Sequence, residues 1–131
     1  MMVLLDTQTW LWMQTTPERL GGQAHSLING PTTELLLSAA SSWEIAIKYR
    51  LGKLPLPETP DRYVPDRMRS SGVGPLPITH SHTLRVAELP AHHGDPFDRL
   101  LIAQAQLDNL TILTSDRSFA KYDIDLRWAD N

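Results

Sequence analysis

The sequence contains no cysteine, which excludes disulfide bonds, thiolate metal sites and a cysteine nucleophile. It also lacks a long apolar run, because the stretch at residues 1–12 is interrupted by Asp6 and has no basic residue. We therefore expect neither a signal peptide nor a membrane span, and a cytoplasmic location. Positive charge is not in excess either: the net charge is −3, so any contact with a polyanion has to come from local geometry.

The length and composition are those of a folded protein. Of the 131 residues, 41% are hydrophobic and 21% are charged, which excludes a disordered or fibrous chain. This length suffices for one sizeable core and not for two. We expect a single domain over residues 1–131.

Short apolar strands alternate with helical patterns along the chain. Strands are predicted at residues 2–5, 35–37, 75–79, 111–114 and 124–128, and helices at 10–13, 43–51, 61–70, 80–89 and 96–107, with a helical turn at 116–121. Gly52 and Asn109 are predicted helix stops. Because the strands are apolar throughout, they indicate an α/β fold with a parallel sheet covered on both faces.

Acidic residues recur just after the predicted strands or in the first turn of the following helix. They are Asp6, Glu44, Asp98 and Asp116. The carboxyl ends of parallel strands meet at one edge, so Asp6, Glu44 and Asp116 are expected to converge there, and Asp98 joins them if its helix starts at the same edge. Converging carboxylates repel one another unless a cation lies among them, and oxygen ligands favour Mg²⁺ or Mn²⁺. Such an ion can activate water and neutralise a phosphodiester.

Helix capping offers a second explanation for the acids of HGDPFDRLLIAQA. With Pro96 at the first helical position, Asp95 becomes the N-cap. Asp98 then lies at the third position, where its carboxylate can reach back to the Asp95 amide. Capping alone could account for both residues.

The other acids have local explanations of unequal strength. Glu44 follows Ser41 at capping-box spacing and could pair with Lys48 at i+4, while Asp116 could cap a turn. Asp6 is the hardest to explain in this way, because an acid that closes a buried strand is expected to gain little from capping.

Two histidine pairs, His80 with His82 and His92 with His93, suggest a zinc site. Because the chain has no cysteine and no third ligand at a recognised spacing, we expect exposed or helix-capping histidines instead.

Four segments resemble the motifs of PIN-domain ribonucleases, specifically the VapC-like toxins of toxin–antitoxin pairs. The segments are VLLDTQTWLW, SSWEIAIKYRLGKLPLP, HGDPFDRLLIAQA and LTSDRSF, and together they span nearly the whole chain. The resemblance implies a three-layer α/β/α fold with a small central parallel sheet. It also implies hydrolysis of RNA with Mg²⁺ or Mn²⁺, a homodimer, and silencing by a cognate antitoxin protein.

The same resemblance assigns roles to individual residues. Catalysis and metal binding fall to Asp6, Glu44, Asp98 and Asp116. Asp95 is mainly a helix cap that could support the site from outside. The expected substrate contacts are Thr7, Thr114, Ser115, Arg99 and Arg117, the two arginines being preferred over the other nearby cations.

Two alternatives remain at this point. One is an inactive PIN fold that acts only as a binding module, although the presence of all four acids argues against it. The other is a phospho-acceptor receiver domain, which needs an acidic pair after its first strand and a lysine after a late one. VLLDTQ has one acid and TILTSD is not followed by such a lysine, so this interpretation is weak.

Overall fold

A computed structural model describes residues 1–131. Its strands are β1 (Met2–Leu5), β2 (Glu34–Ser38), β3 (Val73–Leu76), β4 (Thr111–Thr114) and β5 (Asp125–Trp128). Its α-helices are α1 (Thr7–Thr15), α2 (Gly22–Ile28), α3 (Ala39–Arg50), α4 (Pro60–Ser71), α5 (His80–Arg85) and α6 (Pro96–Asp108). Short 3₁₀ segments lie at Pro17–Arg19, Val86–Glu88 and Arg117–Lys121.

The five strands form one sheet in the order β3-β2-β1-β4-β5, and every neighbouring pair is parallel. Successive side chains of a strand point to opposite faces, so Val3 and Leu5 enter one core and Leu4 enters the other. Helices α1, α2 and α4 cover the first face and α6 covers the second. This confirms the predicted three-layer α/β/α fold.

The central position of β1 decides where the site forms. β1 lies between β2 and β4, with Leu5 paired to Leu37 and Leu113. The carboxyl ends of these three strands therefore meet at the middle of one sheet edge, where loops lead into helices.

Helix ends follow the predicted stops. Asn109 ends α6 with a φ of 54°, and Gly52, with a φ of 73°, follows α3. These left-handed conformations suit glycine and asparagine.

Several predicted boundaries are wrong. The third strand is Val73–Leu76 rather than 75–79, and α5 ends at Arg85, where a 3₁₀ turn replaces the expected continuation. α3 begins at Ala39, four residues before the predicted start, and the patterns gave no indication of α2. No helix is long and apolar enough to cross a membrane.

Leu4→Ala is expected to lower the free energy of unfolding by about 2–5 kcal/mol, because the side chain is fully buried and its loss leaves a cavity. Leu84, which is 71% exposed, provides the matched control, and Leu84→Ala should change that free energy by no more than about 0.5 kcal/mol. Urea denaturation measures both. Similar losses in the two variants would contradict the assignment of the core.

Candidate functional site

A cavity of about 400 Å³ opens at the sheet edge where β1 and β4 end. Five carboxylates and two ammonium groups line it, contributed by distant parts of the chain: Asp6, Glu44, Asp95, Asp98, Asp116, Lys48 and Lys53. The structure thus brings together all four acids predicted to converge. A larger cavity of about 510 Å³ lies between α2 and β5, but Arg127 is its only charged lining residue. The acidic cavity is therefore the candidate functional site.

Asp6 is the most enclosed acid of the cavity, with 6% of its surface exposed. One carboxylate oxygen accepts a hydrogen bond from the Thr9 backbone N–H at 2.7 Å, and the other accepts one from the Thr114 hydroxyl. Burial raises the pKa of Asp6 despite these hydrogen bonds. The expectation that Asp6 gains little from capping is wrong, because Asp6 is the N-cap of α1.

Thr114 links the acids that follow β1 and β4. Its hydroxyl donates to Asp6 and accepts a hydrogen bond from the Asp116 backbone N–H at 3.0 Å. One oxygen of Asp116 accepts from the backbone N–H and hydroxyl of Ser118, at 3.0 and 2.7 Å. Asp116 is therefore the predicted cap of its turn, and Thr114 fixes the two acids relative to each other.

Glu44 lies in the second turn of α3, not in the first, because Ser38 is the N-cap of this helix. The capping box expected from Ser41 does not form, since the Ser41 hydroxyl contacts Thr7 at 2.8 Å. Glu44 instead pairs with Lys48 at 2.7 Å, as the i+4 spacing suggested. The hydrogen bond to Glu44 raises the pKa of Lys48.

The start of α6 separates the functions of its two aspartates. The Asp95 carboxylate accepts from the backbone N–H groups of Phe97 and Asp98, at 2.9 and 3.1 Å, which confirms it as the N-cap. The reciprocal bond from the Asp95 amide to Asp98 does not form. The Asp98 carboxylate contacts the imidazole of His93 instead, at 2.8 Å. Burial first, and the charge of Asp95 second, raise the pKa of Asp98 to about 7.

The sequence raised His93 only as half of a possible zinc pair with His92, and the expectation of an exposed or helix-capping histidine is wrong for His93, which contacts two acids of the site. Its Nε2 lies 2.8 Å from Asp98 Oδ2 and 3.7 Å from Asp116 Oδ2. One ligand atom from each of these three residues falls within a 4.8 Å span, so the group could hold a metal ion. The only sign in the sequence was that His93 lies five residues before Asp98. This was not enough to place His93 at the site, because the sequence does not reveal the path of the loop that carries it.

The five predicted substrate contacts divide into two groups. Thr7 and Ser115 line the cavity, and Thr114 lies beneath Asp6. Neither preferred arginine lines it. Arg99 donates to the backbone of the preceding loop, and Arg117 pairs with Asp130 at 3.0 Å and lies over the Trp128 ring.

Lys48 and Lys53 are the cations at the cavity instead. They reach it from α3 and from the turn after this helix. In the sequence, the two lysines are no nearer to a predicted site acid than the two arginines are. The sequence alone therefore gave no reason to prefer the lysines.

Comparisons with known proteins agree with this geometry. The model of the PIN domain family matches residues 3–125. Ribonuclease VapC16 from Mycobacterium tuberculosis is 54% identical over 61 residues. That match covers 47% of this chain and 43% of the relative, which is less than half of either.

Solved structures share the fold along the whole chain. The VapBC2 complex from Rickettsia felis, bound to a DNA fragment from its promoter, has a TM-score of 0.74 and 15% identity, with 98% of both chains covered. VapBC-1 from nontypeable Haemophilus influenzae has a TM-score of 0.69 and 16% identity, with 100% of both chains covered. At these identities the likeness shows the fold alone.

Asp98→Asn is expected to raise the free energy of unfolding of the metal-free protein at pH 8, on the order of 2 kcal/mol. Folded Asp98 keeps its proton up to about pH 7, whereas the ordinary pKa is 3.8. The stability that this group contributes is therefore complete below pH 3.8 and is lost as the pH rises through 7. Urea denaturation at pH 5 and pH 8 measures the change.

Asp66→Asn is the control for this experiment, because Asp66 is an exposed acid on α4. Its removal should change the free energy of unfolding by no more than about 0.5 kcal/mol at either pH. A loss of stability at pH 8 in Asp98→Asn would contradict the statement that the ionisation of Asp98 opposes folding.

Proposed function

The chain belongs to the PIN domain family, and on this premise we propose that it is a metal-dependent endoribonuclease, the toxin of a toxin–antitoxin pair. The observation that carries the proposal is the cavity in which five carboxylates from four chain segments face two lysines. The similar protein from Mycobacterium tuberculosis is named a ribonuclease, which supports the same activity. Because the match covers less than half of that relative, substrate and partners are proposed as well.

The residues of the cavity fit a hard divalent cation. Their donors are carboxylate oxygens, the ligands that Mg²⁺ and Mn²⁺ prefer. The five carboxylates outnumber the two lysines, and burial, followed by the charge of Asp95, raises the pKa of Asp98. Asp6, Asp98 and Asp116 would hold the ion together with Glu44, and the bound ion would supply activated water and charge neutralisation at the phosphodiester.

The remaining groups of the cavity would bind and orient the RNA. Lys48 and Lys53 are placed to contact phosphate oxygens, while Glu44 keeps Lys48 at the cavity wall. Thr7 and Ser115 offer hydroxyls beside the acids. We no longer propose Arg99 as a substrate contact, because its guanidinium donates hydrogen bonds to backbone carbonyls of the loop at 86–93.

The receiver-domain alternative loses support from the sheet. Receiver domains have the strand order 2-1-3-4-5, whereas this sheet has the order 3-2-1-4-5. The inactive PIN module remains the second candidate, and a cleavage assay separates it from the nuclease.

A cognate antitoxin is the proposed protein partner, and the solved complexes of similar fold support it. We also propose a homodimer and a cytoplasmic location.

The exposed aromatic surface of Trp43, packed edge-on against Phe97 at 5.2 Å, is available to a protein partner beside the cavity.

Purified protein, free of any antitoxin, is expected to cleave single-stranded RNA in the presence of Mg²⁺ or Mn²⁺ and to stop when a chelator is added. Asp98→Asn should lower the cleavage rate by more than about 100-fold, because it removes a metal ligand. Gel analysis of a labelled RNA measures the rate. Cleavage that continues in chelator would contradict the metal requirement, and no cleavage under any condition would favour the inactive module.

Two variants on the same helix serve as controls. Asp95→Ala should lower the free energy of unfolding by about 1 kcal/mol as a lost cap, with cleavage reduced but detectable. Asp108→Asn, at the other end of α6, should leave cleavage unchanged. If Asp95→Ala abolishes cleavage while Asp98→Asn retains it, the assignment of the two aspartates is reversed.

A further inference from the structure

We propose that His93 is a positioning residue of the acidic site: its imidazole orients Asp98 and sets its spacing from Asp116, and Arg99 anchors the loop that carries His93. The inference rests on the proposed function, because it concerns the acids that would hold the metal ion. Neither residue lines the cavity, and Arg99 was expected to contact the substrate rather than to hold a loop.

The imidazole contacts one oxygen of each acid. His93 Nε2 lies 2.8 Å from Asp98 Oδ2, within hydrogen-bond distance, and the imidazole tautomer with its proton on Nε2 donates to the ionised Asp98 carboxylate. The same nitrogen lies 3.7 Å from Asp116 Oδ2. Asp98 Oδ1 has no hydrogen-bond partner within the protein and stays free for an ion. A single donor therefore fixes the rotation of the Asp98 carboxylate without occupying both of its oxygens.

His93 itself has little freedom to move. Its ring meets Phe119 edge-on, with 6.3 Å between ring centroids and 76° between planes, and Phe119 is fully buried. The His93 side chain is 21% exposed. A ring held in this way presents Nε2 in one direction, which is what an orienting group requires.

Arg99 fixes the loop that brings His93 to the acids. Its guanidinium donates to backbone carbonyls of the segment 86–93 and to the Tyr122 hydroxyl. One of these acceptors is the carbonyl of His93, at 3.3 Å. Because Arg99 follows Asp98 directly in α6, one helical turn carries both the acid and the anchor of the loop that orients this acid.

Such contacts have a measurable effect in metal sites. Carboxylate ligands are commonly held by hydrogen bonds from surrounding groups, and loss of these groups weakens metal affinity by about 10- to 100-fold. The contact of His93 Nε2 with Asp98 Oδ2 favours this function over direct ligation, because the nitrogen is already engaged by the acid. Lysine cannot fully replace Arg99, because a single ammonium group cannot reproduce the several hydrogen bonds that the planar guanidinium donates to the loop.

The test measures Mn²⁺ affinity by electron paramagnetic resonance on untagged, full-length protein. His93→Ala is expected to weaken Mn²⁺ binding by about 10- to 100-fold, and His93→Gln to recover most of the loss, because the amide of glutamine can donate to Asp98. Arg99→Lys should weaken binding in the same direction. His92→Ala is the matched control, since the neighbouring ring packs on Tyr122 instead, and it should bind as the wild type does.

The outcomes separate this inference from the proposed function. Unchanged Mn²⁺ affinity in His93→Ala overturns the inference and leaves the carboxylate site standing. Strong coupling of a directly bound ¹⁴N nucleus to Mn²⁺ in the wild type, lost in His93→Gln, overturns it in favour of His93 as a ligand. A wild type that binds no Mn²⁺ overturns the proposed function as well. If His93→Ala fails to fold, His93→Gln decides: folded protein with affinity lowered by about 10-fold or more contradicts the expected rescue.

Discussion

Repulsion between carboxylates gathered at the middle of one sheet edge is the constraint on which the rest of this structure depends. The parallel sheet with β1 at its centre brings the acids together, because β1 and β4 end side by side. Burial first, and the charge of neighbouring carboxylates after it, raise the pKa values of Asp6 and Asp98 and so oppose the fold when these acids are ionised. A bound divalent cation would remove this opposition, so the function and the instability of the site have one physical origin.

The protein holds the acids in place with neutral or positive donors. Thr114 joins Asp6 to the chain at Asp116, Ser118 restrains the Asp116 side chain, and Lys48 pairs with Glu44. None of these donors satisfies a whole carboxylate. Each therefore restricts rotation while leaving coordination capacity, which is the preorganisation that a metal site needs.

Local patterns predicted much of the fold, because local chemistry determines it. Apolar runs predicted β1 and β4, and Asn109 predicted the end of α6. α2 was missed because it begins with glycine and depends on distant contacts, such as the hydrogen bond from the Gly21 N–H to the Ala129 carbonyl. The third strand begins two residues and ends three residues before the predicted bounds, since Pro75 is tolerated inside a strand at this sheet edge.

The sequence likewise predicted part of the candidate site and left another part out. Asp6 and Asp116 could be inferred because they follow strand ends, and Glu44 and Asp98 because they were expected near helix starts. The structure does bring all four to one cavity. His93, Lys53 and the true position of Arg99 could not be inferred, because each depends on the path of a loop. In the case of Arg99, that path is itself set by tertiary hydrogen bonds.

We propose that the four acids hold divalent metal together, and paramagnetic broadening by Mn²⁺ locates the bound ion. Sub-stoichiometric Mn²⁺ added to isotope-labelled protein should first broaden the backbone amide signals of Asp6, Glu44, Asp98 and Asp116. The amide of Gly30, in the loop before the opposite end of β2, should keep its signal. Broadening centred elsewhere on the protein, or uniform broadening without a centre, would contradict the account.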